Sequence, residues 1–293
     1  MTTDGVGPRQ KRRLTEREKA DVVELATICN NYEHLELKLS IDTPPDDDNA
    51  GGNDFLYYAD DGDTLAGYCA LDASGGVELC GMVHPAHRRR GIGRALLTAA
   101  TAECRRRGVT HVLLICERAS RAGQAFVIAT GVQYRFGELR MRLDLASFQD
   151  RPQAGARLTL RRAGVEDVDL LVRILSAAFH DPEDAVRARV ERDLPSPDAW
   201  FTLALLDGEP VGTLRVVDVG HIANIYAFGV LPAYRGRGLG RRMLGATLDG
   251  LRTRGYTSAG LEVETENETA VALYRSCGFV ETTTYEYYRL DVV

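Results

Sequence analysis

The stretch VLPAYRGRGLGRRML, residues 230–244, decides how the chain is read, because much of it already stands at 83–97 as VHPAHRRRGIGRALL. At a constant offset of 147, Val, Pro, Ala, Arg, Arg, Gly, Gly and Arg recur between 83–94 and 230–241. The offset then holds without a gap. Arg107-Gly108 returns as Arg254-Gly255, Glu117 as Glu264, Gly131 as Gly278, and Arg142-Leu143-Asp144 as Arg289-Leu290-Asp291. Such a period is too long for a solenoid and predicts two copies of one domain, each burying its own core. The expected limits are 1–145 for the first copy and 157–293 for the second. The segment between them, ASFQDRPQAGA at 146–156, reads as a linker from its Pro, Gly and polar content.

Within the second copy, alternating or apolar runs predict strands at 157–161, 200–206, 210–219, 222–230, 258–263 and 285–292. Helical spacing predicts helices at 165–179, 238–252 and 269–277, the last two ended by Gly255 and Gly278. The first copy follows the same order, less cleanly at its start. Strands mixed with helices on this scale argue a mixed α/β domain, used twice.

Bulk properties exclude several classes. A net charge of −6 gives no electrostatic support to general nucleic-acid binding. No apolar run approaches the roughly 18 residues of a membrane span, and the polar start, MTTDGVGPRQKRR, lacks the apolar segment of a signal peptide. The six cysteines include no CxxC pair, which fits reduced thiols in a cytoplasmic protein and offers no zinc site. The basic cluster from Arg9 to Arg13 reads as a solvated, frayed tail.

The glycine-arginine turn follows an apolar strand and opens a helix. The first amides of a helix lack internal partners, the helix dipole adds positive character, glycines allow close backbone approach, and arginines supply charge-assisted bonds. Phosphate is the natural guest. The chain has no GxxxxGK stretch. The dinucleotide fingerprint GxGxxG starts at Gly236 and Gly238, with Glu262 as a possible acid, but Arg241 stands where a third small residue is needed. The spacing that remains is RxxGxG, at Arg235, Gly238 and Gly240 and, earlier, at Arg88, Gly91 and Gly93.

This spacing resembles the coenzyme A pyrophosphate loop of the GNAT superfamily of N-acetyltransferases. A second stretch, NETAVALYRSCGF at 267–279, resembles the family's NxxAxxLYxxxGF signature. The resemblance covers about 157–293 and, in the first copy, about 54–145. It implies two tandem GNAT folds, each a bent, mostly antiparallel sheet with splayed fourth and fifth strands flanked by helices. It also implies acetyl-CoA as acyl donor, an amine as acceptor, and neither a nucleic-acid nor a membrane partner; a tandem pair would serve in place of a dimer. By the same resemblance the pantetheine lies along Phe228, Gly229 and Val230 and meets Asn267. The pyrophosphate meets Arg235, Gly236, Arg237, Gly238, Gly240 and Arg241, and in the first copy Arg88, Arg90, Gly91, Gly93 and Arg94.

Amine acetylation needs a base to free the amine, a donor for the oxyanion and an acid for the departing thiolate. The resemblance assigns the acid to Tyr274, a position a packing tyrosine could equally fill. Glu262, in LEVETEN, matches the spacing of the base in ribosomal-protein N-terminal acetyltransferases, with Glu264 or a chain of waters as alternatives. The 147 offset turns Tyr274 into Val127, Asn267 into Ser120, Phe279 into Val132 and Glu262 into Ile115. The first copy is therefore expected to be catalytically silent, binding acyl-CoA or only buttressing the second. One active copy of two resembles the mycothiol synthases, a tandem branch of the family, yet Asn224 stands where their base is expected, so that acceptor does not follow. Glu183, Asp184, Glu262, Glu264 and Glu266 would make an acidic pocket mouth. A non-catalytic acyl-CoA sensor is the competing function.

Overall fold

The computed structural model describes residues 7–41, 51–59, 61–72, 76–149 and 157–292. The first repeat runs β1 (Arg9–Lys11), α1 (Glu16–Glu33), β2 (Asp54–Tyr58), β3 (Leu65–Asp72), β4 (Glu78–Val83), α2 (Ile92–Arg106), β5 (His111–Glu117), α3 (Arg121–Thr130) and β6 (Gln133–Asp144). The second runs β7 (Leu158–Arg162), α4 (Val168–Phe179), α5 (Glu183–Asp193), β8 (Ala199–Leu206), β9 (Glu209–Val219), β10 (Ile222–Val230), α6 (Leu239–Thr253), β11 (Ser258–Glu264), α7 (Glu268–Ser276) and β12 (Val280–Asp291). The mixed α/β class expected from the pattern is what forms. No helix among the described residues is long and apolar enough to cross a membrane.

The chain divides into two units, 1–138 with 283–293 and 139–282. These limits differ from the expected 1–145 and 157–293. The last strand of each repeat reaches into the other repeat's unit: β12 from Thr283 onward and β6 from Leu139 onward. In unit 1, β12 pairs antiparallel with β5 from Tyr285↔Glu117 to Asp291↔His111. In unit 2, β6 lies beside β11, and Leu139, Met141, Leu143 and Leu145 enter the core with Leu261 and Val263. An alternating strand fits either open sheet edge, because its pattern specifies a buried face and not a neighbour.

Unit 1 has the order β1-β2-β3-β4-β5-β12. Alternation along β3 splits its core: Tyr68 and Ala70 pack with Val22, Leu25 and Cys29 of α1, whereas Cys69 and Leu71 pack with Ile92, Leu96 and Ala100 of α2. A capping box between Thr15 and Glu18 starts α1. The parallel pair β4 and β5 holds only Glu78↔Leu113 and Leu79↔Leu114.

Unit 2 has the order β6-β11-β10-β9-β8-β7. Helix α4 buries Leu171, Val172, Ile174, Leu175 and Ala178, a stripe of helical period. It packs with Phe201 and Leu203 on one side of the sheet. On the other side α6 and α7 cover Ile225, Leu261 and Val263 with Leu244, Leu248, Val271 and Tyr274. The parallel pair β10 and β11 runs from Ile222↔Ser258 to Ile225↔Leu261.

Two local expectations are corrected. The basic cluster is not a frayed tail from its start: Arg9–Lys11 forms β1 on β2, Arg9 lies 5.2 Å over the Tyr58 ring, and Lys11 pairs with Glu18 at 2.7 Å. Charged side chains hid a backbone that completes a sheet edge. The first part of the expected linker is ordered, with Phe148 buried in the unit 2 core and its carbonyl accepting from Arg252; residues 150–156 lie outside the described residues. Helix α5 lies where the pattern predicts no element, since only Val186 and Val190 of it are buried.

The exchange makes a prediction. Residues 157–293 alone lack β6, leaving the β11 edge open and five core side chains missing, Leu139, Met141, Leu143, Leu145 and Phe148. Size-exclusion chromatography with light scattering should show aggregate or a strand-exchanged dimer. A monomer with a cooperative unfolding transition would contradict the exchange.

Candidate active site

Both glycine turns are built alike. A proline-led 3₁₀ turn, Pro85–His87 or Pro232–Tyr234, follows the strand, and the next helix starts at Gly91 or Gly238. These two glycines have φ of +85° and +72°, the left-handed region that other residues adopt at a cost. Neither α2 nor α6 has a side-chain cap, so the first-turn amides stay open to a ligand.

The first arginine of each motif folds back onto the strand before it. Arg88 Nε donates to the Val83 carbonyl at 3.1 Å, and Arg235 Nε donates to Val230 at 3.0 Å. Arg235 also donates to the Ala178 carbonyl at 2.7 Å, tying the turn to the end of α4. These guanidinium groups hold the turn to the strand that precedes it. Arg237 lies 5.3 Å over the Tyr234 ring and donates to Ala233. Arg241 donates to the carbonyl and hydroxyl of Ser276, joining α6 to α7. Arg90 and Arg94 are exposed and have no partner among the described residues.

Past Ile225 the two parallel strands of unit 2 part, and β10 bulges. Its register on β9 passes from Tyr226↔Arg215 to Gly229↔Thr213, setting Ala227 and Phe228 against one residue. Ala227 has φ of +48°, a left-handed alanine; such a residue stores about 1–3 kcal/mol and persists only where its surroundings impose it. Gly229 lets α4 approach the strand here: a Cβ there would stand 2.7 Å from Ala178 Cβ. Val230 closes the strand by accepting from Arg235.

Tyr274 is buried beside this bulge, its ring 6.3 Å from Phe228 and 6.0 Å from Phe279. Its hydroxyl has no hydrogen-bond partner among the described residues. Burial, with Cys277 nearby, pushes the phenol up to about 12. Gly240 stands close too, its Cβ position 3.4 Å from Leu273 and 3.9 Å from Phe228. The fold thus brings together the bulge, the start of α6 and Tyr274. Asn267 caps α7, accepting from the Ala270 amide at 3.1 Å.

Glu262 lies on the opposite sheet face. Leu261 and Val263 enter the core with Tyr274, so Glu262 alternates away from them. Asn224 and Gly260 share that face as paired neighbours. Arg140 Nε lies 3.4 Å from the Glu262 carboxylate. The sequence held no signal for this pair, because Arg140 belongs to the other repeat. Glu183, Asp184, Glu264 and Glu266 are exposed.

Unit 1 differs at the matching places. Its β3–β4 register runs unbroken from Gly67↔Val83 to Asp72↔Glu78, with no bulge. Val127 is buried where Tyr274 stands in the repeat. Ser120 caps α3, accepting from Gly123 at 3.0 Å. Glu117 is buried and accepts from the Glu36 amide at 2.7 Å and from Thr283 at 2.8 Å. Where β4 and β5 part lies a cavity of about 570 Å³. Gly91, Gly93 and Arg94 stand on its wall, with Leu79, Met82, Leu114 and Val127 deeper in.

Comparison with known proteins agrees with this geometry. The model of the Acetyltransferase (GNAT) family matches residues 20–127 and again 168–279. The chain is 33% identical to the mycothiol acetyltransferase of Salinispora arenicola, over 94% of each chain. It is also 33% identical to that of Clavibacter sepedonicus, over 80% of this chain and 79% of the other. Among solved structures, a GCN5-related N-acetyltransferase from Sphaerobacter thermophilus superposes with a TM-score of 0.74 at 19% identity, covering 97% of this chain and 96% of the other. A tandem GNAT protein from the clavulanic acid biosynthesis pathway gives 0.69 at 18%, covering 98% and 99%. With both turns matched by the family and full-length relatives at this identity, the chain belongs to the GNAT acetyltransferases and is a tandem N-acetyltransferase of that family.

Proposed function

We propose that the second repeat transfers the acetyl group of acetyl-CoA to the primary amine of a small molecule or peptide. The observation that carries this reading is Tyr274, a buried phenol with an unengaged hydroxyl, beside the strand bulge and the glycine turn. The donor's pyrophosphate would rest on the first-turn amides of α6 at Gly236, Gly238 and Gly240. Arg237 and Arg241 stand beside it, and Arg235 holds the turn in shape. Pantetheine would follow Phe228, Gly229 and Val230 and pass Asn267. The bulge sets the Ala227 and Phe228 amides outside the strand register, a donor for the oxyanion.

The chemistry then needs two proton movements. The amine nitrogen attacks the thioester carbon, and its proton passes to Glu262, directly or through water, on the acceptor face of the sheet. As the C–S bond breaks, the Tyr274 hydroxyl gives its proton to the sulfur. Burial supports that role by keeping the phenol protonated throughout the neutral range. The relatives named mycothiol acetyltransferase support a second acceptor reading, the unacetylated form of mycothiol; Asn224 departs from it. A thiol-release assay over a panel of amines that includes that compound decides between acceptors. Six free cysteines, five of them buried, support a reducing, cytoplasmic setting.

Gly240→Asp has room for its Cβ, so it tests charge at the phosphate position. It should weaken acetyl-CoA binding by about 2 kcal/mol or more in calorimetry. Gly93→Asp in the first turn should leave turnover per folded molecule largely intact. The reverse outcome would assign catalysis to the other repeat.

Tyr274→Phe keeps the ring and removes the proton. It should lower kcat by roughly 10²- to 10⁴-fold with little change in acetyl-CoA affinity. Glu262→Gln should lower kcat/KM most at low pH, where the amine is hardest to deprotonate. A Tyr274→Phe enzyme with wild-type kcat, measured where chemistry limits turnover, would remove Tyr274 from the mechanism.

A further inference from the structure

The cavity of unit 1 passes through the sheet at the place where β4 and β5 part. Its walls come from both cores: Cys29, Tyr68 and Met82 from the α1 side, Leu79, Ile92 and Leu96 from the α2 side. On the α1 side Leu35 and Leu37 line it. They belong to residues 35–41, a segment held at several points. Glu36 donates its amide to Glu117, and its carbonyl accepts from the Tyr285 hydroxyl at 2.5 Å. The Leu37 amide donates to Asn30 at 3.1 Å, and Lys38 donates to the Tyr287 hydroxyl at 2.7 Å. Ser40 donates to Asp72 at 2.7 Å, and its carbonyl accepts from Tyr68 at 3.1 Å.

This arrangement suits one kind of guest. At the other wall stand Arg94, Gly91 and Gly93, with Arg90 beside them and the open amides of α2, which suit a phosphate. Between the two ends the walls are mainly aliphatic, and the volume is in the range of sites that hold a sizeable ligand. The held segment lays Leu35 and Leu37 against the α1 side of the cavity. Val127 on the wall has no proton to give, and Glu117 is engaged by two donors. What the α1 side offers is apolar surface.

We propose that unit 1 is a second, non-catalytic site for an acyl-CoA whose acyl chain is longer than acetyl and lies in the opening between β4 and β5. The phosphate end rests on the reading of the glycine turns given above; the acyl end rests on the cavity alone. Each methylene that leaves water strengthens binding roughly fourfold, so chain length is a sensitive probe.

The test uses the full chain carrying Gly240→Asp, which silences the turn of the second repeat. Calorimetry would compare coenzyme A, acetyl-CoA and octanoyl-CoA. Octanoyl-CoA should bind at one site, at least about 50-fold more tightly than acetyl-CoA, equivalent to about three covered methylenes. Adding Gly93→Asp should weaken all three. Cys29→Phe, which fills the α1 side of the opening, should bring octanoyl-CoA to within a few fold of acetyl-CoA and leave coenzyme A unchanged. Leu37→Trp fills the same space from the held segment and serves if Cys29→Phe does not fold. Coenzyme A bound without any gain from the octanoyl chain would overturn the proposal and leave the turn reading standing. Absence of binding by all three would remove both. A gain that survives both filling variants would place the chain elsewhere and also overturn it.

Discussion

A parallel strand pair that stops pairing is the constraint on which both units depend. Parallel strands bond to each other through evenly spaced, slanted amides and carbonyls. Once they part, the groups facing the gap need another partner. In unit 1 the pairing ends after Leu79↔Leu114, in unit 2 after Ile225↔Leu261. In each case the glycine turn begins a few residues farther along the first strand of the pair. The gap can receive an extended ligand, and the turn offers amides to the charged end of that ligand.

The two units use this device differently. Unit 2 bulges at Ala227 and Phe228 and packs α4 close through Gly229. Unit 1 keeps a regular register and has Met82 where Gly229 stands in the repeat, with a broad cavity beside it. The same turn therefore stands beside a bulged strand and a buried tyrosine in one unit and beside a wide, mainly apolar opening in the other. Arg88 and Arg235 give the turn a structural role in both units: each bonds the carbonyl at the end of the preceding strand, whatever the gap holds.

What the sequence disclosed was local. The glycine turn, the helices that start and stop at glycines, and the stretch carrying Tyr274 are written in consecutive residues and kept their places. What it hid depends on distant partners. The alternation of β6 and β12 names their buried faces but not the edges they join. Arg140 reaches Glu262 only because of that exchange. Arg235 reads as a phosphate ligand until the Ala178 carbonyl is seen beside it. Helix α5 and strand β1 are too polar for periodicity to reveal, since their order comes from what they rest on.

The exchanged strands also reverse the order in which the molecule can be finished during synthesis. Unit 2 is one unbroken stretch, 139–282, and has all its residues as soon as α7 and the start of β12 have been made. Unit 1 begins at the first residue yet takes its last strand from 283–293. A ribosome delivers chain from the N-terminus, and domains usually close in that order. Here the unit that starts first must wait for the strand supplied by 283–293, with the β5 edge open in the meantime. A chain stopped just after residue 282 would lose the N-terminal unit and keep every residue of the other.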